Sequence, residues 1–93
     1  IGKTVNLKTV MDSVNNSDKS KPLNFHIHSE GGSVYDGIAI YKYLKGLGQE
    51  VNTFSAGLVA SIATIIFLAG KKETRTVTQG DKFLIHLPRN AAK

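Results

Sequence analysis

Residues 23–44 read LNFHIHSEGGSVYDGIAIYKYL, and this stretch decides the fold because it predicts a strand, a tight turn and a helix in succession. Apolar and polar residues alternate over Leu23–Ser29, which is the period of a strand with one buried face. Gly31 and Gly32 end that strand, and Ser33 is placed to cap the helix that follows. Four apolar residues spaced three or four apart predict the buried face of this helix. They are Val34, Ile38, Tyr41 and Leu44.

The elements predicted on either side of this unit continue the alternation. Strands that alternate with helices favour an α/β layer with parallel pairing, in which chemistry collects where strands end and helices begin. Gly57 is predicted to break the second strand, so that a second strand-to-helix turn follows it. The helix after this glycine is apolar nearly all round and should be buried on most sides. In chain order the flanking predictions are a helix at 7–14 capped by Asn6, a strand at 51–54, a helix at 59–69, and strands at 75–78 and 83–87 joined by a turn at Gly80 and Asp81.

Composition narrows the class of protein. The 93 residues allow one small domain or part of a larger one, and 41% hydrophobic with 20% charged residues is typical of a globular chain. The absence of cysteine from these residues excludes disulfide scaffolds, cysteine-ligated zinc and thiol catalysis. The most apolar stretch, 56–69, is shorter than the roughly 20 residues that cross a bilayer, so no membrane association is predicted. The net charge of +5 includes dispersed lysines with no aromatic platform, which predicts a solvated surface rather than a nucleic-acid interface.

Two strand-to-helix turns carry residues that could perform chemistry. Gly31 and Gly32 permit positive φ and leave backbone N–H groups uncovered beside a helix N-terminus, where they could hold an anion or an oxyanion. The alternative is a tight turn without a ligand. Ser61 follows the second of these turns and is predicted in the first turn of the helix at 59–69, where its hydroxyl gains from the helix dipole. The alternative there is a helix cap or a small packing residue.

Three histidines extend the set of candidate residues. His86 lies within the apolar stretch 83–88, where an imidazole is unusual and needs a hydrogen-bond partner. It could be the base that a serine hydroxyl requires to become nucleophilic, although a lone histidine is more often a core residue whose hydrogen bonds are satisfied. His26 and His28 share one strand face and could ligate a metal, but no third ligand stands out, so a solvated or interface face is favoured. We therefore predict no metal and no cofactor.

Taken together, three motifs resemble those of the Clp protease proteolytic subunit family, ClpP, and its phage-encoded relatives. Residues 25–41 resemble the family's strand, its Ser-Pro-Gly-Gly turn and the following helix. Residues 57–63 resemble its nucleophile turn, and residues 84–88 resemble its Met-Ile-His-Gln-Pro segment. The separations of 29 residues from Gly32 to Ser61 and 25 residues from Ser61 to His86 agree with the family's order. The resemblance covers about residues 5–90.

The resemblance implies an α/β fold of the ClpP/crotonase type, a stack of ββα units, of which residues 1–93 form a single partial domain. It implies a serine endopeptidase in which Ser61 is the nucleophile and His86 the general base, with the backbone N–H groups of Gly32 and Ile62 as the oxyanion hole. In the family, the acid of the triad and the handle region lie downstream of the histidine, beyond these residues. We therefore expect the 93-residue chain alone to be weak or inactive.

The resemblance also implies partners and a location. It implies peptide or protein substrates, a homo-oligomeric ring and a Clp-type ATPase partner, in the cytoplasm of a bacterium or of a phage-infected host, with a housekeeping or a capsid-processing role. Glu30 stands where the family has proline, and Leu58 and Val59 where it has Gln-Ala, but neither departure touches the hydroxyl or the imidazole. Two alternatives stay open. One is a crotonase-like acyl-CoA enzyme whose glycine N–H groups hold a thioester enolate, and the other is an inactive assembly module of the same fold.

Overall fold

The structure, a computed structural model, describes Ile1 and residues 5–84. Its elements in chain order are α1 (Leu7–Asn15), β1 (Leu23–Ser29), α2 (Val34–Lys45), β2 (Val51–Ala60), α3 (Ile62–Phe67), a 3-10 turn (Lys72–Thr74) and β3 (Lys82–Leu84). The three strands form one parallel sheet in the order β1-β2-β3, which confirms the predicted α/β class with parallel pairing. Among the helices of this described part, none is long and apolar enough to span a membrane.

α1 confirms the predicted first helix and its cap. The side-chain oxygen of Asn6 accepts a hydrogen bond from Thr9 N (3.0 Å), and Thr9 Oγ1 accepts one from Asn6 N (2.9 Å). This reciprocal pair satisfies two N–H groups at the start of the helix, where partners within the helix are lacking. Val14 is buried, and Leu7 and Val10 pack partly buried against the same core cluster, so the apolar face of α1 covers the core.

β1 and the start of α2 also follow the sequence. β1 has the predicted bounds, and its residues alternate between buried or half-buried and exposed positions, as expected of a strand with one face in the core. Ser33 caps α2, because its Oγ accepts a hydrogen bond from Asp36 N (3.3 Å), and Gly46 is the C-cap. The predicted strand, turn and helix at residues 23–44 are therefore confirmed.

The predicted buried face of α2 is confirmed at Leu44, which is buried, and at Tyr41, which packs partly buried against the core, but it is wrong at Ile38. Ile38, which the spacing places in the core, is 38% exposed, whereas the buried residues of the helix are Gly37, Ile40 and Leu44. The reason is a close approach between helices, since a Cβ added at Gly37 would overlap the side chain of Ile62 in α3. The absence of a side chain at this position lets α2 turn its glycine toward α3, which rotates Ile38 toward solvent.

β2 corrects the prediction that Gly57 breaks the strand. The strand continues through this glycine to Ala60, and α3 begins only at Ile62 rather than at residue 59. The pairing with β1 shifts within the strand, because Ile27 pairs with Ser55 while Ser29 pairs with Val59. Residues 56–58 therefore form a bulge, and the positive φ of Gly57 (103°) is a conformation that glycine adopts at no steric cost.

The core lies between the sheet and the helices. The fully or almost fully buried apolar side chains include Val14, Ile40, Val59 and Ala63. Phe67 of α3 packs edge to face on Phe83 of β3, with ring centroids 5.1 Å apart, which ties the third strand to the core. α3 is largely buried, as its composition indicates, although Ile65 and Leu68 are each 39% exposed.

The last part of the described chain only partly matches the predicted strands. The strand expected at 75–78 is reduced to a single bridge between Thr76 and Phe54. The strand expected at 83–87 begins at Lys82 and is described as far as Leu84. Its remaining residues, 85–87, lie outside the described part of the chain.

Candidate active site

Ser61 joins β2 to α3 and has a strained backbone. Its φ of 55° and ψ of −126° make it the one residue other than glycine with positive φ among Ile1 and residues 5–84. A conformation of this kind costs about 1–3 kcal/mol in a residue with a side chain. It persists because Ser61 N donates to Leu84 O (2.6 Å) and Ser61 O accepts from Thr64 N (3.0 Å), so that β3 and α3 hold the turn from both sides.

The side chain of Ser61 does not act as a helix cap. Ser61 occupies the N-cap position of α3 rather than the first helical turn, yet its side chain makes no capping hydrogen bond. The residue as a whole is half-buried rather than enclosed in the core. The capping alternative considered for this serine is therefore contradicted.

The double-glycine turn lies directly against Ser61, although 30 residues separate them in the chain. A Cβ added at Gly31 would come within 2.9 Å of Ser61 Cβ, 3.1 Å of Ala60 O and 3.6 Å of Ser61 Oγ. Gly31 also has a φ of 109°, and its N–H donates to Ser29 Oγ (3.0 Å). Only glycine satisfies both the backbone conformation and the contact, so these two turns form one site.

The two residues predicted to supply oxyanion N–H groups adjoin these turns, because Gly32 follows Gly31 and Ile62 follows Ser61. Ile62 is the first residue of α3, where a helix offers no intrahelical acceptor. Within the described residues, neither Gly32 N nor Ile62 N donates to a protein acceptor. A Cβ at Gly32 would overlap the backbone of Ile1, whose carbonyl accepts from Ser33 N (2.9 Å), so this position also requires glycine.

The remaining predicted site residue, His86, lies outside the described residues. The described chain approaches the site as far as Leu84, which pairs with Ala60 and accepts the hydrogen bond from Ser61 N. The two other histidines contact protein groups. His26 stacks on Phe54 with ring centroids 4.8 Å apart, and His28 Nδ1 accepts a hydrogen bond from Leu58 N (3.1 Å). In the described chain, no three His, Asp or Glu side chains are grouped so as to hold a metal ion.

Asp81 belongs to a polar cluster that sequence reasoning missed. Its carboxylate accepts hydrogen bonds from Gly57 N (2.7 Å), from Ser55 Oγ through a short contact, and from Thr78 N (3.3 Å). The hydrogen bond from Ser55 is the largest cause that lowers the pKa of Asp81 from its ordinary value. Burial opposes it as the second-largest effect, and the N–H groups of Gly57 and Thr78 and the Coulombic effect of His28 each lower the pKa by less. The sequence gives no signal for this cluster, since 24 residues separate Asp81 from Gly57.

The fold is thus α/β, and the candidate site has a serine on a strained strand-to-helix turn beside a double-glycine turn. Residues 4–93 match the family model described as Clp protease, and the chain therefore belongs to the Clp protease family, which confirms the resemblance. An ATP-dependent Clp protease proteolytic subunit from Bacteroides fragilis is 35% identical over 83 residues, covering 89% of this chain and 39% of the relative. A proteolytic subunit 2 from Parasynechococcus marenigrum is 36% identical over 76 residues, covering 82% of this chain and 39% of the relative.

Solved structures agree with this membership. The ClpP protease catalytic domain from Plasmodium falciparum superposes with a TM-score of 0.76 at 31% identity, covering 90% of this chain and 50% of that one. A ClpP1 mutant from Listeria monocytogenes gives a TM-score of 0.70 at 31% identity, covering 86% of this chain and 44% of that one. The predicted ClpP-type fold is confirmed. The chain spans about two fifths of the length of the curated relatives it matches.

Proposed function

We propose that the protein is a serine endopeptidase of the Clp type, with Ser61 as nucleophile, His86 as general base, and the N–H groups of Gly32 and Ile62 as oxyanion hole. The observation that carries the proposal is the strained backbone of Ser61 at a strand-to-helix junction in contact with Gly31. Membership in the Clp protease family supports the same class of reaction.

The conformation of Ser61 supports a chemical role more than a structural one. A serine that fills space or caps a helix needs no positive φ, and here the capping hydrogen bond is not made. A strained turn between a strand and a helix is the arrangement in which α/β hydrolases expose a nucleophilic serine. Strain of this kind persists at functional sites because the surrounding structure holds it there, as Leu84 and Thr64 do for this turn.

The reaction follows from these groups. Ser61 Oγ attacks the carbonyl carbon of the scissile peptide bond while His86 takes the hydroxyl proton. The negative charge that develops on the carbonyl oxygen is stabilised by the N–H groups of Gly32 and Ile62, neither of which donates to an acceptor among Ile1 and residues 5–84. His86 then protonates the leaving amine, and water hydrolyses the acyl-enzyme with the same histidine as base.

The acid that orients His86 belongs, in this proposal, to a segment outside residues 1–93. The carboxylate of Asp81 already accepts hydrogen bonds from Ser55, Gly57 and Thr78, so it is engaged elsewhere. Residues 1–93 are then a single partial domain without the acid and the handle region. A peptide or protein substrate and a Clp-type ATPase partner are part of the same proposal, supported by the relatives' name, ATP-dependent Clp protease proteolytic subunit. The proposal also includes a homo-oligomeric ring and a cytoplasmic location.

Labelling with a fluorophosphonate tests the nucleophile. The protein, expressed at its natural length, should form a stoichiometric adduct that peptide mass spectrometry locates on Ser61. Ser61→Ala should abolish the adduct. Ser13→Ala is the matched control, because Ser13 is an exposed serine on α1, away from the turn, and its loss should leave labelling unchanged.

Labelling, together with an assay of acyl-CoA thioester hydrolysis on the same variants, separates the alternatives. A folded protein that forms no adduct would favour the inactive assembly module. Hydrolysis of an acyl-CoA thioester that survives Ser61→Ala would favour the crotonase-like enzyme, which needs the glycine N–H groups but no serine nucleophile. The match to Clp protease relatives favours peptide hydrolysis over both.

A further inference from the structure

The bulge at residues 56–58 lies just before Ser61 and has lost its regular pairing with β1. Ile27 pairs with Ser55, but the next described pair joins Ser29 to Val59, so the intervening residues of β2 lie outside the ladder. Backbone N–H groups in such a bulge need other acceptors. The way these groups are satisfied therefore determines the shape of the strand that leads to the nucleophile turn.

Two side chains from distant parts of the chain supply those acceptors. Asp81 Oδ1 accepts from Gly57 N (2.7 Å), and His28 Nδ1 accepts from Leu58 N (3.1 Å). The second oxygen of Asp81 accepts from the hydroxyl of Ser55, which is buried in β2 immediately before the bulge. One carboxylate thus holds both the bulge and the regular strand that precedes it.

Asp81 also directly precedes β3, the strand that borders the site. The next residue, Lys82, pairs with Leu58, and the ladder continues until Leu84 pairs with Ala60. Gly57 directly precedes Leu58, and Asp81 directly precedes Lys82. The hydrogen bond from Gly57 N to the Asp81 carboxylate therefore extends the same register by one residue pair. The register then ends at the hydrogen bond from Ser61 N to Leu84 O.

We infer that Asp81 is a positioning residue that fixes the register of β3 against β2, and thereby the turn that presents Ser61. This inference rests on the proposed function for its consequence, though not for its geometry. A slip by one residue would move the chain by roughly 3.3 Å and reverse the faces of β3. It would break the hydrogen bond from Ser61 N to Leu84 O, which holds the turn at Ser61.

Pairs of engineered cysteines read this register directly, because the 93 residues contain no cysteine. Leu58→Cys with Lys82→Cys joins paired residues on neighbouring strands, about 4.8 Å apart, a distance that a disulfide can bridge. Leu58→Cys with Phe83→Cys joins residues on opposite faces and should crosslink only after a one-residue slip. Both pairs are placed in the protein at its natural length, alone and combined with Asp81→Ala or Asp81→Asn.

With Asp81 intact, the Leu58–Lys82 pair should crosslink and the Leu58–Phe83 pair should not. We expect Asp81→Ala to remove most of the first crosslink, and to slow fluorophosphonate labelling of Ser61 by about 100-fold or more, because a misplacement of even about 1 Å can cost about 100-fold. Asp81→Asn, which keeps the shape and one acceptor oxygen, should show a smaller loss of both. If the alanine variant does not fold, the asparagine variant decides the outcome.

Asp18→Ala is the matched control. Asp18 also accepts two hydrogen bonds from a serine residue, Ser20 N (2.9 Å) and Ser20 Oγ (2.7 Å), but in an exposed loop before β1. Its loss should change neither crosslinking nor labelling. Folded Asp81 variants that keep the original crosslink and labelling rate would overturn the inference. Crosslinking reads the register without reference to activity, so an unreactive parent protein would count against the proposed function alone.

Discussion

At the scale of single residues, Ser61 has a conformation that its contribution to stability does not explain. Positive φ costs this residue about 1–3 kcal/mol relative to a residue with negative φ, and its hydroxyl makes no capping hydrogen bond that would offset this cost. Glycine would fit the same φ of 55° without strain. A side chain is therefore kept at a position where folding alone favours none, which is what a reactive hydroxyl at this turn would require.

The strain can be measured by comparing two substitutions at Ser61. We expect the free energy of unfolding, measured by urea titration, to be about 1 kcal/mol higher for Ser61→Gly than for Ser61→Ala. Glycine relieves about 1–3 kcal/mol of strain, but its greater chain entropy in the unfolded state costs about 0.5–1 kcal/mol. Both variants lack the hydroxyl and should fail to react with a fluorophosphonate. The comparison therefore isolates the backbone from the chemistry.

The matched control is the same pair of substitutions at Ser13, inside α1. There the order should reverse, with alanine more stable than glycine by about 1 kcal/mol, because helical φ favours alanine. Equal stability of the two Ser61 variants, with the expected reversal at Ser13, would show that the turn is not strained.

At the scale of elements, the sequence predicts whatever depends on neighbours in the chain. α1, β1 and the start of α2 follow from spacing and caps that lie within a few residues, such as Asn6 with Thr9 and Ser33 with Asp36. The continuation of β2 through Gly57 could not be predicted in this way. Its bulge depends on Asp81, which is remote in sequence.

The same distinction applies to the candidate site: what depends on neighbours in the chain is predicted, and what depends on remote contacts is not. The sequence points to Ser61 and to the double-glycine turn because each is predicted where a helix begins after a strand. It does not reveal that Gly31 lies against the serine, which requires the parallel pairing of β1 with β2. Nor does it reveal the backbone strain, since the strand had been expected to end at Gly57 and the helix to include the serine.

The contact between α2 and α3 carries a prediction at this scale. Gly37→Ala places a Cβ where the side chain of Ile62 lies, so the two helices must move apart. We expect a net loss of about 1–2 kcal/mol in the free energy of unfolding, because overpacking costs about 1–3 kcal/mol and the gain in helix propensity returns up to about 1. Ile62 follows the nucleophile turn directly, so fluorophosphonate labelling of Ser61 should also slow.

Gly48→Ala is the control, because a Cβ at this position meets nothing within 4 Å. It should change neither the urea midpoint nor the labelling rate appreciably. The double variant Gly37→Ala with Ile62→Ala should lose less stability than the sum of the two single losses, since the overlapping side chain is gone. Additive losses would mean that the helices do not meet at these residues.

At the scale of the whole molecule, the described chain is a small sheet with apolar surface left uncovered. Tyr35 is 88% exposed, Val77 58% and Leu84 50%, and a chain of 93 residues buries only a modest core. The chain also covers 39% of the length of its Bacteroides fragilis relative. Both observations agree with the proposal that the turn at Ser61 depends on further chain or on further subunits for its stability.

Residues 1–93 expressed alone should therefore react poorly. If the acid lies outside residues 1–93, as proposed, fluorophosphonate labelling of Ser61 in these residues alone should be about 10³–10⁴-fold slower than in a protein that includes the acid, because loss of the acid that orients a catalytic histidine has an effect of that size. Circular dichroism and a urea titration first establish whether residues 1–93 alone are folded. Adding the segment that carries the acid as a separate polypeptide should then restore labelling. Folded residues 1–93 that label at the rate of the protein with the acid would show that the turn, the glycines and His86 suffice without any further acid.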